Sequence, residues 1–195
     1  MIHSGNGIRK PPVKETMRYD PSRHEALRQI AWDEWQARAA IGRIVLDTDA
    51  RFSEEGYWPL HPLDRDGDDE TDQVETPLYH GACGVMWALH YLQAVGAAHL
   101  SRSYAGELDR LLARNRTWLG ACAGRERASF MMGDTAILMM AFGEAQTDEL
   151  ERTLATLVAG NLKHPARELM WGSPGTLLAA LFLYERTGSQ RWMNC

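Results

Sequence analysis

Cysteine is scarce in this sequence, and its scarcity limits the kinds of protein the chain can be. The 195 residues include only three cysteines, Cys83, Cys122 and Cys195, an odd number whose spacing matches no disulfide framework. Small secreted scaffolds depend on paired cysteines at regular spacings. We therefore expect reduced thiols and a cytoplasmic protein.

Long apolar runs are missing as well. The longest one, Thr176 to Tyr184, is far shorter than the roughly 20 residues that a membrane-spanning helix needs. The N-terminal stretch MIHSGNGIRKPPVKE lacks the apolar segment of a signal peptide. The sequence thus predicts neither a transmembrane span nor a signal peptide.

Clusters of lysine and arginine are also lacking, and the formal net charge is −5 at pH 7. Because nucleic-acid-binding surfaces are typically basic, we predict no nucleic-acid partner. Apolar residues make up 45% of the chain and charged residues 24%, which is typical of a globular protein. A chain of this length can bury the core of one sizeable domain.

One segment type occurs three times, and it dominates what the sequence does contain. The copies are LYHGACGVMWALHYL, SFMMGDTAILMMAF and ELMWGSPGTLLAALFLYE, and in each a glycine stands directly before an apolar run. The motif glycines are Gly81 and Gly84 in the first copy, Gly133 in the second, and Gly172 and Gly175 in the third. Self-similarity at a period of a few tens of residues indicates a repeat architecture.

Each copy predicts a helix that is buried on all sides. The three runs are Val85–Leu92, Thr135–Phe142 and Thr176–Tyr184. They are rich in Ala, Leu and Met, which favours helix over strand, and they are apolar all round. We expect the first glycine to take a positive φ that turns the chain into the helix. The second glycine, which lacks a Cβ, should let the first helical turn approach another backbone closely.

The intervening segments predict amphipathic helices that alternate with the buried ones. Asp20-Pro21 is a typical helix start, and an apolar stripe continues from it to about Asp47. Further stripes run from about Ser103 to Leu119 and from Asp148, where Glu151 gives a capping-box spacing.

This alternation predicts an all-α fold with an inner and an outer layer. We expect a partial α/α toroid of about three helix-hairpin repeats plus an N-terminal helix. Residues 1–19 are expected to form a flexible arm and residues 20–195 one domain. Residues 48–77, rich in glycine, proline and acidic residues, are expected to be a loop or an insertion within it.

The glycine-led segments resemble those of the lanthionine synthetase C-like family over about residues 78–188. LYHGACGV is similar to the family's first Gly-x-x-Gly helix start, and SFMMGDTAIL to its Ser-Phe-x-x-Gly-Asp segment. ELMWGSPGTLLAALF is similar to its Glu-Leu-x-x-Gly-x-x-Gly-x-Leu block. The resemblance implies a double-layered α/α toroid. It also implies, for full-length members, zinc-dependent addition of a cysteine or glutathione thiol to dehydroalanine or dehydrobutyrine in a peptide.

The zinc ligands that the resemblance implies lie outside the matched segments. In the family, two cysteines and a histidine hold the metal, in a Trp-Cys-x-Gly-type segment and a Cys-His-Gly segment. Neither segment occurs in this sequence, and Ala136 stands where the second motif would carry its second glycine. We therefore expect no cofactor for this chain, and we interpret it as a truncated, N-terminal portion of such a protein. A peptide or glutathione is the partner that the resemblance implies.

Two groups of side chains have the composition of a metal site, and each has a simpler interpretation. His80 and Cys83 are three residues apart, but zinc takes three or four ligands, so a histidine beside a buried cysteine is favoured. The acidic stretch DRDGDDETD lacks the residue order of a calcium loop and favours a solvated loop. The acidic side chains in question are Asp64, Asp66, Asp68 and Asp69.

Asp134 is the one candidate catalytic residue, and a weak one. It follows Gly133 at a predicted helix N-terminus, where the helix dipole favours a carboxylate, so capping is its simpler role. The tryptophans are expected to pack in the core or between the layers, namely Trp32, Trp35, Trp87, Trp118 and Trp171. The inner helices are expected to begin at one end of the fold, where their free N–H groups would favour an anionic or thiolate ligand.

Other functions stay open beside the family's. The main alternative is a non-catalytic α/α repeat module that binds a peptide or protein partner. An α/α-toroid glycosidase would need paired carboxylates, which the inner helices almost lack. Because the run Thr176–Tyr184 is apolar all round, we also expect an exposed patch, and with it self-association or dependence on a missing C-terminal half.

We predict that the purified chain retains no zinc after loading and dialysis, because the family's ligand segments are absent. Elemental analysis of the dialysed protein measures this. Retention of a stoichiometric amount of zinc that is lost in Cys83→Ser or His80→Ala would contradict the prediction.

Overall fold

The structure, a computed structural model, describes residues 29–60, 74–120, 124 and 126–194. The chain divides into two units, Met1–Asp33 and Glu34–Cys195. Of the first unit, residues 29–33 are exposed and carry no regular secondary structure. Every helix in the described ranges belongs to the second unit.

The second unit is all-α across its described residues, so the predicted fold class is confirmed. The α-helices are α1 Glu34–Ala50, α2 Ala82–Ala94, α3 Leu108–Leu119, α4 Thr135–Glu144, α5 Asp148–Asn161 and α6 Ser173–Thr187. Short 3-10 helices occur at Ala105–Glu107, Glu126–Ala128 and Gln190–Asn194. None of these helices is long and apolar enough to cross a membrane.

The glycine-led helices form a row in which α4 lies between α2 and α6. α4 contacts both of these neighbours, and it also contacts the amphipathic helices α3 and α5. The apolar stripes of the amphipathic helices face inward, since Leu111 of α3 and Leu154 and Val158 of α5 are fully buried. Helices α2 to α6 therefore alternate, in chain order, between an inner and an outer row. The toroid itself stays a prediction.

All-round burial is wrong for two of the three inner helices. α4 is mostly buried, but α2 exposes Trp87 (52%) and Tyr91 (54%), and α6 exposes Leu177 and Phe182. The cause is position, because α4 has helices on four sides while α2 and α6 stand at the two ends of the row. Composition alone does not distinguish the middle of a row from its ends.

Two helix starts differ from the predicted ones. α1 begins at Glu34, and residues 29–33 before it are not helical, so a continuous helix reaching Asp47 from Asp20 is wrong. Residues 20–28 lie outside the described residues. α5 is capped by Thr147, whose hydroxyl accepts a hydrogen bond from the Leu150 N–H at 3.3 Å. Asp148 is thus the first helical residue and not the N-cap.

A buried carboxylate fastens α1 to the loop before α3. Asp49 accepts a hydrogen bond from the Ser101 N–H at 2.9 Å, and further ones from the hydroxyls of Ser101 and Tyr104. Burial alone would raise the pKa of this carboxyl, but the hydrogen bonds outweigh burial, and the pKa is lowered. An ionised group therefore holds α1 against the loop that precedes α3.

The first glycine of each motif does not adopt the expected conformation. Among the described glycines, those with a positive φ are Gly96, Gly120 and Gly188, and none of them is a motif glycine. Gly81 and Gly172 have φ of −123° and −94°, which any residue can adopt. The expectation of a positive φ at the helix start is therefore wrong.

Close packing explains why the second motif glycine, Gly84 in the first copy and Gly175 in the third, has no side chain. A Cβ on Gly84 would collide with the carbonyl oxygen of Leu78, and a Cβ on Gly175 with that of Leu169. In both cases the obstructing carbonyl belongs to the sixth residue before the glycine. The first turn of each helix is therefore folded tightly onto the loop that precedes it.

Gly84→Ala is predicted to destabilise the fold by about 1–3 kcal/mol, because the added methyl group must displace the backbone at Leu78. The matched control is Gly160→Ala in α5, where a Cβ would meet nothing within 4 Å. This control should instead stabilise the fold by roughly 0.5–1 kcal/mol through helix propensity. Urea unfolding followed by circular dichroism measures both, and an unchanged midpoint for Gly84→Ala would contradict the packing argument.

Candidate functional site

An open cleft of about 910 Å³ runs along the exposed sides of the inner helices, with α1 along its border. Its lining is mainly apolar, and the helices contribute large side chains to it. They include Val85 and Trp87 from α2, Met139 and Met140 from α4, and Leu178 and Phe182 from α6. The cleft is thus formed by the very faces that sequence analysis expects to be buried.

The loops that precede the three inner helices lie side by side at one end of this cleft. The Tyr79 N–H donates to the carbonyl of Met131 at 3.1 Å, which joins the first loop to the second. The Ser129 hydroxyl donates to the carbonyl of Met170 at 2.5 Å, which joins the second loop to the third. The three helices therefore begin at the same end of the fold.

Charge in the cleft is sparse and of one sign. Among the described residues that line it, none is Asp or Glu, and the side chains able to carry a positive charge are His80 and Arg186. His80 Nδ1 lies 3.2 Å from Glu75 Oε2, and its ring packs edge-on against Trp118. A ligand in this cleft would meet apolar groups along its length, the His80 ring near the loops and the Arg186 guanidinium near the other end.

His80 and Cys83 do not form a metal-binding pair. Cys83 is fully buried, and its thiol lies 3.7 Å from the sulfur of Met140. Burial raises the pKa of the Cys83 thiol to about 12, so it is neither a thiolate nucleophile nor a ready zinc ligand at neutral pH. In the part of the chain that the structure describes, no three His, Cys, Asp or Glu side chains are grouped to hold a metal.

The zinc that the family resemblance implies therefore does not fit the described residues. Cys122 and Cys195 lie outside these residues, as does the acidic stretch with Asp64, Asp66, Asp68 and Asp69. Nothing in the described chain assigns a metal-activated thiol to the cleft.

Asp134 is completely buried, but it neither caps α4 with its side chain nor lines the cleft. Its carboxylate accepts hydrogen bonds from Nε of Arg116 and Arg127, at 3.0 and 2.9 Å. A third comes from Asn115 Nδ2 at 3.1 Å. The capping role expected from sequence is therefore wrong for this side chain, which instead joins the outer helix α3 to the start of α4.

Two asparagines that sequence analysis did not select make equivalent links. Asn115 also accepts a hydrogen bond from the Thr76 hydroxyl at 2.9 Å, and Asn161 donates to the Trp171 carbonyl and the Thr176 hydroxyl at 2.9 and 2.7 Å. Each asparagine stands on the apolar stripe of an outer helix and reaches the start of the next inner helix. A polar residue within an apolar stripe is the signal that would have revealed them.

Sequence analysis also missed Arg186, because a charged residue near the end of an apolar run is usually interpreted as facing solvent. It lies in the last turns of α6, at the opposite end of the helix from the loops. Its Nη1 donates to the carbonyl of Met139 at 3.3 Å, so the side chain crosses onto α4 and borders the cleft.

Asp134→Ala is predicted to destabilise the chain by about 2–3 kcal/mol, because charged hydrogen bonds are lost and the buried Asn115 amide loses a partner. Asp109→Ala, which removes an exposed carboxylate from the first turn of α3, is the control and should change stability by less than about 1 kcal/mol. Urea denaturation distinguishes the two, and equal effects would show that the buried cluster contributes no specific stability.

Comparisons of the chain with protein-family models, with curated proteins and with solved structures found no match.

Proposed function

We propose that this chain is an α/α repeat domain of the lanthionine synthetase C-like type whose cleft binds a peptide through apolar side chains. The family part of this proposal rests on the three glycine-led motifs. The binding part rests on a single observation, the apolar cleft along α2, α4 and α6.

The exposed faces that form the cleft favour binding, because contact between apolar side chains and water is unfavourable in free energy. Trp87 and Phe182, which line the cleft, are 52% and 43% exposed, and they belong to helices that are mainly apolar. Full burial of such a side chain is worth roughly 1.5–3 kcal/mol, so covering its exposed half stabilises a complex by roughly 1 kcal/mol. Contiguous apolar surface of this sort typically marks a binding site.

The open form of the cleft and its apolar lining suit a peptide segment better than a compact polar metabolite. Its volume of 910 Å³ lies within the range of about 300–1,000 Å³ found for small-molecule sites, so volume alone does not decide between the two. An extended or helical segment can place several apolar side chains along three adjacent helices at once. A compact polar metabolite would leave most of this lining uncovered.

Peptide holding, and not thiol activation, is the role that these residues support. Full-length relatives of the family add a thiol to a dehydroamino acid with the help of zinc. Here the one described cysteine near the cleft is buried, with its pKa raised to about 12. Any thiol taking part in such chemistry must therefore arrive with the ligand or from another part of the protein.

The proposal predicts that the neutral fluorophore N-phenyl-1-naphthylamine binds in the cleft and is displaced by an apolar peptide. A suitable probe is the acetylated hexapeptide Ser-Leu-Ala-Phe-Ala-Leu with an amidated C-terminus. Trp87→Ala should weaken binding of the fluorophore by about tenfold or more, because it removes a large exposed ring from the cleft lining.

Trp35→Ala is the matched control, because Trp35 is 78% exposed on α1 but does not line the cleft. It should leave fluorophore binding unchanged. Failure of the hexapeptide to displace the fluorophore, or equal losses in the two tryptophan variants, would overturn the proposal. A dimer in light scattering that binds no fluorophore would also overturn it, because a second copy would then cover the cleft.

A further inference from the structure

Arg186 borders the cleft and has no acidic partner among the described residues, whereas half of the described arginines have one. Arg38, Arg51, Arg116, Arg127 and Arg191 each lie within 4.0 Å of a carboxylate, and Arg110 lies near two. Among the described residues, no carboxylate lies that close to the Arg186 guanidinium. Its one hydrogen bond within the described chain is to the Met139 carbonyl, at 3.3 Å. A guanidinium has five N–H donors, so most of its binding capacity remains available.

A glycine provides the room for this side chain. A Cβ on Gly143, in the last turns of α4, would collide with Nη1 of Arg186. Gly143 has no positive φ, so its backbone conformation does not call for glycine. Glycine inside a helix costs about 0.5–1 kcal/mol relative to alanine. Here its identifiable effect is to let the guanidinium lie across α4 at the border of the cleft.

The surroundings of Arg186 favour an anion over a neutral group. The described lining of the cleft contains no Asp or Glu, and Arg186 stands at the end opposite the loops. Hydrogen bonds between a guanidinium and a carboxylate are roughly twice as strong as those between neutral groups, and the pair is frequently bidentate. A ligand carboxylate at this point could accept two hydrogen bonds from the guanidinium, and no acidic side chain of the described lining would compete for them.

We propose that Arg186 binds a carboxylate of the peptide, so that the cleft selects an apolar segment with an acidic group at the end near the C-terminus of α6. This proposal rests on the proposed function, since it assumes that the cleft holds a peptide. The acidic group is either the C-terminal carboxylate of the peptide or an Asp or Glu side chain. The first source requires a peptide that ends in the cleft, and the second allows one that passes through it.

Three versions of one peptide test the proposal by displacement of N-phenyl-1-naphthylamine. They are the acetylated hexapeptide Ser-Leu-Ala-Phe-Ala-Leu as its amide, the same peptide with a free C-terminal carboxylate, and an amidated version extended by one Glu. We expect at least one acidic version to bind about tenfold more tightly than the amide, as expected for a charged hydrogen-bonded pair in place of a neutral group. The version that binds more tightly than the amide identifies the source of the carboxylate.

Variants of the chain test whether Arg186 causes the preference for acidic peptides. Arg186→Gln should abolish the difference in affinity between the acidic and the amidated peptides. Gly143→Ala keeps the charge but displaces the guanidinium from its position over α4, so it should reduce the preference. Arg167→Gln is the control, because Arg167 is exposed and lies outside the cleft lining, and it should keep the full preference.

Equal affinity of all three peptides for the unmodified chain would overturn this proposal and leave the proposed function standing. An acidic preference that persists in Arg186→Gln would overturn it as well. If none of the peptides displaces the fluorophore, the proposed function itself fails. Should Arg186→Gln not fold, as judged by circular dichroism, Arg186→Lys and Gly143→Ala carry the test. The lysine variant should lose part of the preference, because it keeps the charge without the planar pair of donors.

Discussion

The close approach between each glycine-led helix and its own preceding loop is the constraint on which the rest of the structure depends. At Gly84 and Gly175 the first helical turn presses on the carbonyl of the sixth residue before it, and no residue with a Cβ fits there. This contact fixes where each loop leaves its helix. The loops can then pair through Tyr79 and Met131, and through Ser129 and Met170. The common starting end of the inner helices, and therefore the cleft along them, follows from this packing.

The outer helices are attached to these helix starts by buried polar groups as well as by apolar contacts. Asn115, Asp134 and Thr76 connect α3 to the loops before α2 and α4, and Asn161 connects α5 to the start of α6. A buried polar group without a partner costs about 1–3 kcal/mol, so these links are satisfied in only one register of the helices. Apolar stripes alone tolerate several registers. The asparagines therefore specify an alignment that burial by itself leaves open.

The sequence predicts those features of the fold that arise from local patterns, and it fails for those that depend on contacts formed only in the folded chain. The apolar periodicity of α3 and α5, and the composition of the α2, α4 and α6 runs, predict helices that the structure contains. The all-round burial of α2 is not predictable in this way, because exposure of Trp87 depends on how many neighbours the row supplies. The need for glycine at Gly81 was attributed to a positive φ, yet it arises from contact with the backbone around Thr76 and Pro77. Both errors concern contacts that the sequence does not display.

The candidate site was harder to predict than the fold, for the same reason. Asp134 attracted attention as a carboxylate beside a motif glycine, but three donors enclose it away from the cleft. For Cys83, sequence analysis favoured a buried cysteine over half of a metal pair, and the structure does bury it, which raises the pKa of its thiol to about 12. Sequence analysis did not select Arg186, and only the folded chain shows that its guanidinium passes over Gly143 to the border of the cleft. In each case the chemical role depends on which groups surround the side chain. Among the described residues, Asp134 and Cys83 are enclosed by their surroundings, whereas the side chains that line the cleft are mainly apolar, and only the folded arrangement separates these two groups.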